Sequence, residues 1–158
     1  MPITITEASS DTDVATIREL FRAYAESLPF SLDFQGFQAE LAELPGRFSP
    51  PAGCLLIARR ASMPLGIVGL KPLALGIAEI KRLYVTPEAR GAGLGRGLDE
   101  RALAEARAKN YDRVRLDTHR PSMAEAIALY RRLGFVEIAP YGPDLGGEIV
   151  FFEKRLSG

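Results

Sequence analysis

Apolar residues recur along this chain with two periods, close to two and close to 3.6, and the changes of period mark out its elements. Ile3 and Ile5 alternate with Thr4 and Thr6, which predicts a short strand. Ser10-Asp-Thr-Asp13 then offers a capping-box start, and Val14, Ile17, Phe21, Tyr24 and Leu28 follow at helical spacing until Pro29 stops the pattern. Residues 29–35 read as a loop and Gly36 to Leu44 as a second, shorter helix, after which Pro45-Gly46 and Pro50-Pro51-Ala52-Gly53 lead into sheet. Cys54 to Ala58 and Gly66 to Leu70, joined by a turn at Ser62-Met-Pro, read as a hairpin.

The strand from Ile77 to Val85 carries an irregularity. Ala78 and Ile80 are apolar at even positions, Leu83 and Val85 at odd ones. Strand side chains alternate between faces, so keeping all four on one face requires an extra residue near Lys81 or Arg82, a β-bulge. After Thr86-Pro87 comes a glycine-rich turn, Arg90-Gly-Ala-Gly-Leu-Gly-Arg96, and then a helix with Leu94, Leu98, Ala102 and Ala106 in one row, ended by Asn110. Val114 and Leu116 form the next strand. Ser122-Met-Ala-Glu125 offers a second capping box, before a helix whose apolar stripe is Met123, Ala126, Ile127, Tyr130 and Leu133 and whose stop is Gly134. Phe135 to Ile138 and Ile149 to Phe152 read as the last strands. The order β, α, α, three strands, α, β, α, β, β predicts a mixed α/β (α+β) fold, with one central sheet of about seven strands flanked by about four helices.

Composition narrows the function. At 158 residues the chain is expected to form a single domain over 1–158, and twenty basic against twenty acidic residues leave no overall positive field for nucleic acid or an anionic membrane. One cysteine, Cys54, and one histidine, His119, exclude an internal disulfide and a zinc cluster, so no metal is expected. With no basic start and apolar run at the N-terminus and no long apolar stretch, a soluble, cytoplasmic protein is expected. Cys54 lies within an apolar strand and reads as packing.

The chemistry sits in the glycine-rich turn. A strand, three closely spaced glycines and a helix start expose backbone N–H groups at the positive end of a helix dipole, which together cradle an anion. Arg90 and Arg96 add charge-assisted donors, and the plainer reading of Gly91, Gly93 and Gly95 is a flexible turn. No Lys-Ser/Thr pair follows them, against a P-loop, and the spacing misses the dinucleotide Gly-x-Gly-x-x-Gly pattern.

Arg90, Gly93 and Gly95 match the pyrophosphate signature Arg/Gln-x-x-Gly-x-Gly/Ala of the GNAT superfamily of acyl-CoA N-acyltransferases, following the strand Glu79-Ile-Lys-Arg-Leu-Tyr-Val85. Ala126-Ile-Ala-Leu-Tyr-Arg-Arg-Leu-Gly-Phe135 resembles the family's second landmark. The resemblance spans about Ile3 to Leu156 and implies two splayed parallel strands that admit the pantetheine arm of acetyl-CoA (CoA), the cosubstrate. By the resemblance, the backbones of Leu83 and Val85 pair with the pantetheine amides, and Arg90, Gly91, Ala92, Gly93, Leu94, Gly95 and Arg96 hold the pyrophosphate. Where many members have an asparagine seven residues before the helical tyrosine, this chain has Met123.

Tyr130 matches the family's tyrosine near the acyl sulfur, where its hydroxyl would protonate the departing thiolate; its alternative is core packing. An acceptor amine is mostly protonated at neutral pH, so a base is required. Glu79, on the bulged strand, is the candidate, directly or through water, and its alternative is an exposed strand-edge charge. His119 is the rival base, and otherwise a surface histidine.

For the acceptor, Glu26 and Asp33 offer carboxylates, Arg115, His119 and Arg120 a cationic patch, and Phe30, Phe34 and Phe37 an apolar wall or core; the region around Tyr141 is a further candidate. The resemblance implies an acetyl-CoA-dependent N-acetyltransferase (EC 2.3.1.-) of a small-molecule amine acceptor, primary or amino-acid-like, by direct attack in a ternary complex, and admits a homodimer. Protein N-termini or lysines, a non-catalytic acyl-CoA-binding or regulatory domain, and a nicotinamide enzyme stand as alternatives.

Overall fold

The Ser10 hydroxyl accepts the Asp13 amide at 3.1 Å while the Asp13 carboxylate accepts the Ser9 amide at 3.0 Å, so the first helix starts on the cap that its sequence spells out. The computed structural model describes residues 2–156. Its elements are β1 (Ile3–Glu7), α1 (Asp11–Ser27), α2 (Phe37–Glu43), β2 (Cys54–Arg60), β3 (Met63–Ala74), β4 (Ile77–Val85), α3 (Leu94–Ala108), β5 (Arg113–His119), α4 (Ala124–Arg132), β6 (Val136–Ile138) and β7 (Ile149–Arg155). The seven strands form one mixed sheet in the order β1-β2-β3-β4-β5-β7-β6. Among the described residues β4 and β5 are the parallel pair, and the other neighbours run antiparallel.

Each face of the sheet has its own core. Leu56, Val68, Leu70, Ala78, Ile80, Val114, Leu116 and Phe152 pack with Leu98, Ala102 and Leu103 of α3 and Ile127 and Tyr130 of α4. Leu55, Ile57 and Ile67 face the other way, onto Ile17, Leu20 and Phe21 of α1, Phe37 and Leu41 of α2, and Phe48. Cys54 is buried in the first of these cores, where desolvation pushes its thiol up to about 12.

The bulge lies where the phase slip requires it. Between the pairs Gly69–Lys81 and Ile67–Tyr84, the single residue Val68 of β3 opposes both Arg82 and Leu83 of β4. Arg82 takes φ 62°, a left-handed conformation costly for a residue with a Cβ. The slip keeps Ala78, Ile80, Leu83 and Val85 on the α3–α4 face. It also turns β4 away from β5: the two strands pair only over Ile77–Glu79 and Arg113–Arg115, and beyond Glu79 they diverge.

Two local expectations need correction. β3 is longer at both ends than Gly66 to Leu70: Met63 and Pro64 are strand rather than turn, paired with Arg60 and Arg59, and pairing with β4 continues through Lys71–Glu79 and Pro72–Ala78 to Ala74. Ser122 does not cap α4. Its hydroxyl lies 2.7 Å from His119 Nδ1, and α4 begins at Ala124 after Met123, with no side-chain cap. No helix among the described residues is long and apolar enough to cross a membrane.

Candidate active site

Gly91 and Gly93 hold φ 85° and 76°, and a Cβ built on either would meet no atom within 4 Å, so the turn leaves open space above its backbone. Gly93 is the N-cap of α3 and offers no side-chain cap. The first bond of the helix runs from Gly97 N–H to the Gly93 carbonyl at 3.1 Å, which leaves the amides of Leu94, Gly95 and Arg96 without an intrahelical acceptor. Leu94 is buried against Leu98 and anchors the turn, whereas Arg90 and Arg96 are exposed beside it. The Arg96 guanidinium pairs with Glu100, and Arg90 Nε donates to the Val85 carbonyl at 3.2 Å.

Leading away from this turn, β4 presents an unpaired edge to the gap. Thr86 N–H bonds the Leu65 carbonyl on β3 and Tyr84 pairs with Ile67, so the alternation of strand hydrogen bonds turns the backbone groups of Leu83 and Val85 outward, toward β5. A cleft of about 60 Å³ opens there, lined by Ile80, Leu83, Leu116, Thr118, Met123, Ala126 and Tyr130, with Tyr24 across it. Met123 keeps its side chain in this cleft and accepts the Thr118 hydroxyl at 3.0 Å on sulfur. Tyr130 is 6% exposed and packs on Phe135 and Phe152. Its phenol is pushed well above the usual range, first by burial and then by the nearby Asp99 carboxyl, so the hydroxyl stays protonated. The packing reading of Tyr130 holds, and the same residue also lines the cleft.

On the opposite face lies a second cavity of about 200 Å³, walled by Phe34, Leu73, Pro143, Phe151, Tyr141 and Lys71, with Glu79 among its polar groups. Lys81, Arg82 and Asp117 line both cavities, so the two meet where β4 and β5 part. Glu79 is 4% exposed, which overturns its reading as an exposed strand-edge charge. Tyr141 Oη donates to Glu79 Oε2 at 2.6 Å, and Lys71 Nζ lies 3.8 Å from Oε1. Burial and then the Glu79 charge raise the Tyr141 phenol far above its usual range. Desolvation holds Lys71 below the ordinary lysine value, although Glu79 opposes it.

The remaining ionic groups of this wall are closed pairs. Arg82 donates to both carboxylate oxygens of Glu40, at 2.9 and 3.1 Å, and to Gln35 Oε1 at 2.7 Å, with its guanidinium over the Phe37 ring. Lys81 Nζ bonds Asp117 at 2.9 Å. The sequence reading missed Lys71, Asp117, Gln35 and Glu40. The available signal was Lys81-Arg82, two adjacent cations inside a strand otherwise apolar but for Glu79, which demand buried partners.

Most of the residues expected at the acceptor side lie elsewhere. Glu26 and Asp33 are exposed outside the cavity, Arg115 is held by Glu153 at 2.8 Å, and Arg120 by Glu137 at 3.1 Å. Phe34 lines the wall, but Phe37 is core and Phe30 stacks on His119 at 4.4 Å. His119 is not a surface histidine. It ends β5, is 6% exposed, and has Ser122 on Nδ1 and Glu148 on Nε2 at 3.3 Å, so neither ring nitrogen is free for an acceptor amine.

Residues 15–135 match the family model described as Acetyltransferase (GNAT) family. The chain is 31% identical over 157 residues to an uncharacterized N-acetyltransferase of Schizosaccharomyces pombe, covering 98% of this chain and 96% of that protein. It is 41% identical over 108 residues to an IAA acetyltransferase of Azospirillum brasilense, covering 64% of this chain and 67% of that one. The PaiA N-acetyltransferase of Thermoplasma acidophilum, solved in complex with coenzyme A, superimposes with a TM-score of 0.74 at 25% identity, over 98% of this chain and 99% of that one. The chain belongs to the GNAT acetyltransferase family and is an acyltransferase.

Proposed function

We propose that the protein transfers an acetyl group from acetyl-CoA to the primary amine of a small or amino-acid-like acceptor, by direct attack in a ternary complex. The observation that carries this reading is the meeting of two cavities across the strand gap, one lined by Tyr130 and the other by Glu79. The chain fits the cosubstrate: free amides at 94–96, open space over Gly91 and Gly93, and the outward edge of Leu83 and Val85 offer donors and acceptors along one track. Arg90, Gly91, Ala92, Gly93, Leu94, Gly95 and Arg96 would hold the pyrophosphate, and the Leu83 and Val85 backbones the pantetheine amides. For that, a pantetheine amide shares the Val85 carbonyl with Arg90 or displaces its guanidinium. When bound, acetyl-CoA supplies an acyl thioester activated toward amines.

This chain's own residues supply the proton transfers. Glu79, held by the Tyr141 hydroxyl, takes a proton from the acceptor ammonium on Oε1. The freed amine nitrogen forms the N–C bond as the thioester C–S bond breaks. Tyr130 Oη, kept protonated by its buried setting, gives the departing thiolate its proton and regains one from the acylated nitrogen, whose second N–H is acidified by acylation. The apolar walls of both cavities exclude competing water.

The test is calorimetry with acetyl-CoA, CoA and desphospho-CoA, followed by thiol release across an amine panel. Micromolar or tighter acetyl-CoA binding with amine-dependent thiol release is expected. Glu79→Gln should lower kcat by about a hundredfold or more, and Tyr130→Phe should lower turnover more than affinity. Tight binding with no thiol release on any amine would replace this reading with a non-catalytic acyl-CoA-binding domain. NADH binding that CoA does not displace would overturn it altogether.

A further inference from the structure

The acceptor cavity is ionically balanced but unevenly paired. Three carboxylates, Glu40, Glu79 and Asp117, face three cations, Lys71, Lys81 and Arg82. Arg82–Glu40 and Lys81–Asp117 are hydrogen-bonded at 2.9 Å each, so each of these two cations already has a carboxylate in contact with it. Lys71 and Glu79 differ. They are cross-strand partners on β3 and β4, their side chains share one face, and at 3.8 Å Nζ stands beyond hydrogen-bond reach of Oε1. Arg115, the neighbour of Glu79 on β5, is spent on Glu153. Lys71 Nζ makes no hydrogen bond among the described residues, and only the Phe48 ring, 5.8 Å away, lies over it.

An open ion pair in a largely buried wall is the complement of a zwitterion. From this geometry we infer that the acceptor is a free α-amino acid, whose carboxylate is read by Lys71 while its amine sits at Glu79. The inference rests on the acetyl-transfer reading above and deepens it. One acceptor satisfies both unspent groups: its ammonium takes Glu79 Oε1, the oxygen that Tyr141 leaves free, and its carboxylate accepts from Lys71 Nζ, which has no other acceptor in reach. A simple amine would leave the Lys71 ammonium unpaired in a partly desolvated wall, and an N-terminal peptide would bring an uncharged amide there instead. The side chain of the amino acid then lies against Phe34, Leu73 and Pro143, a surface suited to an aliphatic or aromatic group. The transfer itself is unchanged: the α-ammonium loses a proton to Glu79, its nitrogen gains the acetyl carbon as the C–S bond breaks, the thiol leaves with a proton from Tyr130, and the second N–H proton of the acylated nitrogen returns to Tyr130.

The experiment measures acetyl-CoA-dependent thiol release with matched acceptors: leucine against 3-methylbutylamine, phenylalanine against phenethylamine, and leucine amide as a peptide-like control. The ratio of kcat/KM within each pair is compared between the wild type, Lys71→Met and Lys71→Arg, which cancels the intrinsic difference in amine reactivity. The wild type should prefer the amino acid, Lys71→Met should cut that preference by about tenfold to a hundredfold, and Lys71→Arg should retain most of it. A preference that survives in Lys71→Met, or a wild type that favours the simple amine or the amide, would overturn the zwitterion inference and leave acetyl transfer standing. Bound acetyl-CoA with no thiol release to any member of the panel would instead overturn the acetyl-transfer reading, and this inference with it. Acetyl-CoA affinity of Lys71→Met, measured by calorimetry and expected to match the wild type, shows that the variant is folded.

Discussion

Tyr141 Oη and Glu79 Oε2 are 2.6 Å apart, although 62 residues of chain separate them. The tyrosine comes from the segment before β7 and the glutamate from the paired part of β4, just before the parallel strands part. Its hydroxyl fixes one carboxylate oxygen and leaves the other facing Lys71. Tyr141→Phe should lower kcat/KM by about tenfold, as expected for one hydrogen bond to a charged group, and leave acetyl-CoA affinity unchanged. Calorimetry and steady-state kinetics on the same preparation check this. An equal loss of cosubstrate binding would show that Tyr141 supports the fold rather than the base.

The glycine turn makes a separate prediction. Gly93 needs its left-handed φ of 76°, but the space above it is open. Gly93→Ala therefore carries only conformational strain, about 1 kcal/mol. Gly93→Glu adds a carboxylate where the diphosphate would lie, and acetyl-CoA affinity should fall by about a hundredfold or more. Similar affinities for the two variants in a titration would disprove the assignment of residues 90–96.

Asp99 lies on α3, 0% exposed, with both carboxylate oxygens unpartnered among the described residues. Desolvation raises its pKa from 3.8 to about 8. Between those two values the folded chain keeps a proton that the unfolded chain has released, so stability falls as pH rises through this window and levels off above it. The penalty at pH 7 is on the order of 4 kcal/mol. Asp99→Asn cannot ionise. Its melting temperature should exceed that of the wild type by a margin that widens from pH 5 to pH 8; a margin independent of pH would refute the buried titration.

Glu40 ties α2 to the bulge through its two bonds to Arg82. Removing it strands a guanidinium whose side chain is 2% exposed. Glu40→Ala should destabilise the protein by about 3 kcal/mol, read by urea unfolding. Glu40→Gln, which keeps one acceptor, should cost less.

Much of the fold was legible because it depends on short-range periodicity. The Ser10 cap, the Leu94-Leu98-Ala102 row and the one-residue slip between Ile80 and Leu83 are local statements, each enforced by a helix or strand repeat. The slip even located the bulge, since no other register buries Ala78, Ile80, Leu83 and Val85 together. Ser122 shows that local patterns also compete: its hydroxyl bonds His119, three residues upstream, instead of capping α4.

What the chain determines by itself is thus the order of its elements, the irregular strand and the bare main chain at the mouth of α3, since these follow from backbone geometry and residue spacing. Tertiary structure alone decided the wall proposed here for the acceptor. Lys71, Glu79, Asp117 and Tyr141 come from three strands and a loop, and their partnerships follow from sheet register and from which charges are already neutralised. Arg115 and His119 carry chemistry as suitable as that of Lys71, but their neighbours Glu153, Ser122 and Glu148 occupy them. Pairing in a desolvated site is a property of three-dimensional neighbours, and sequence spacing holds no record of it.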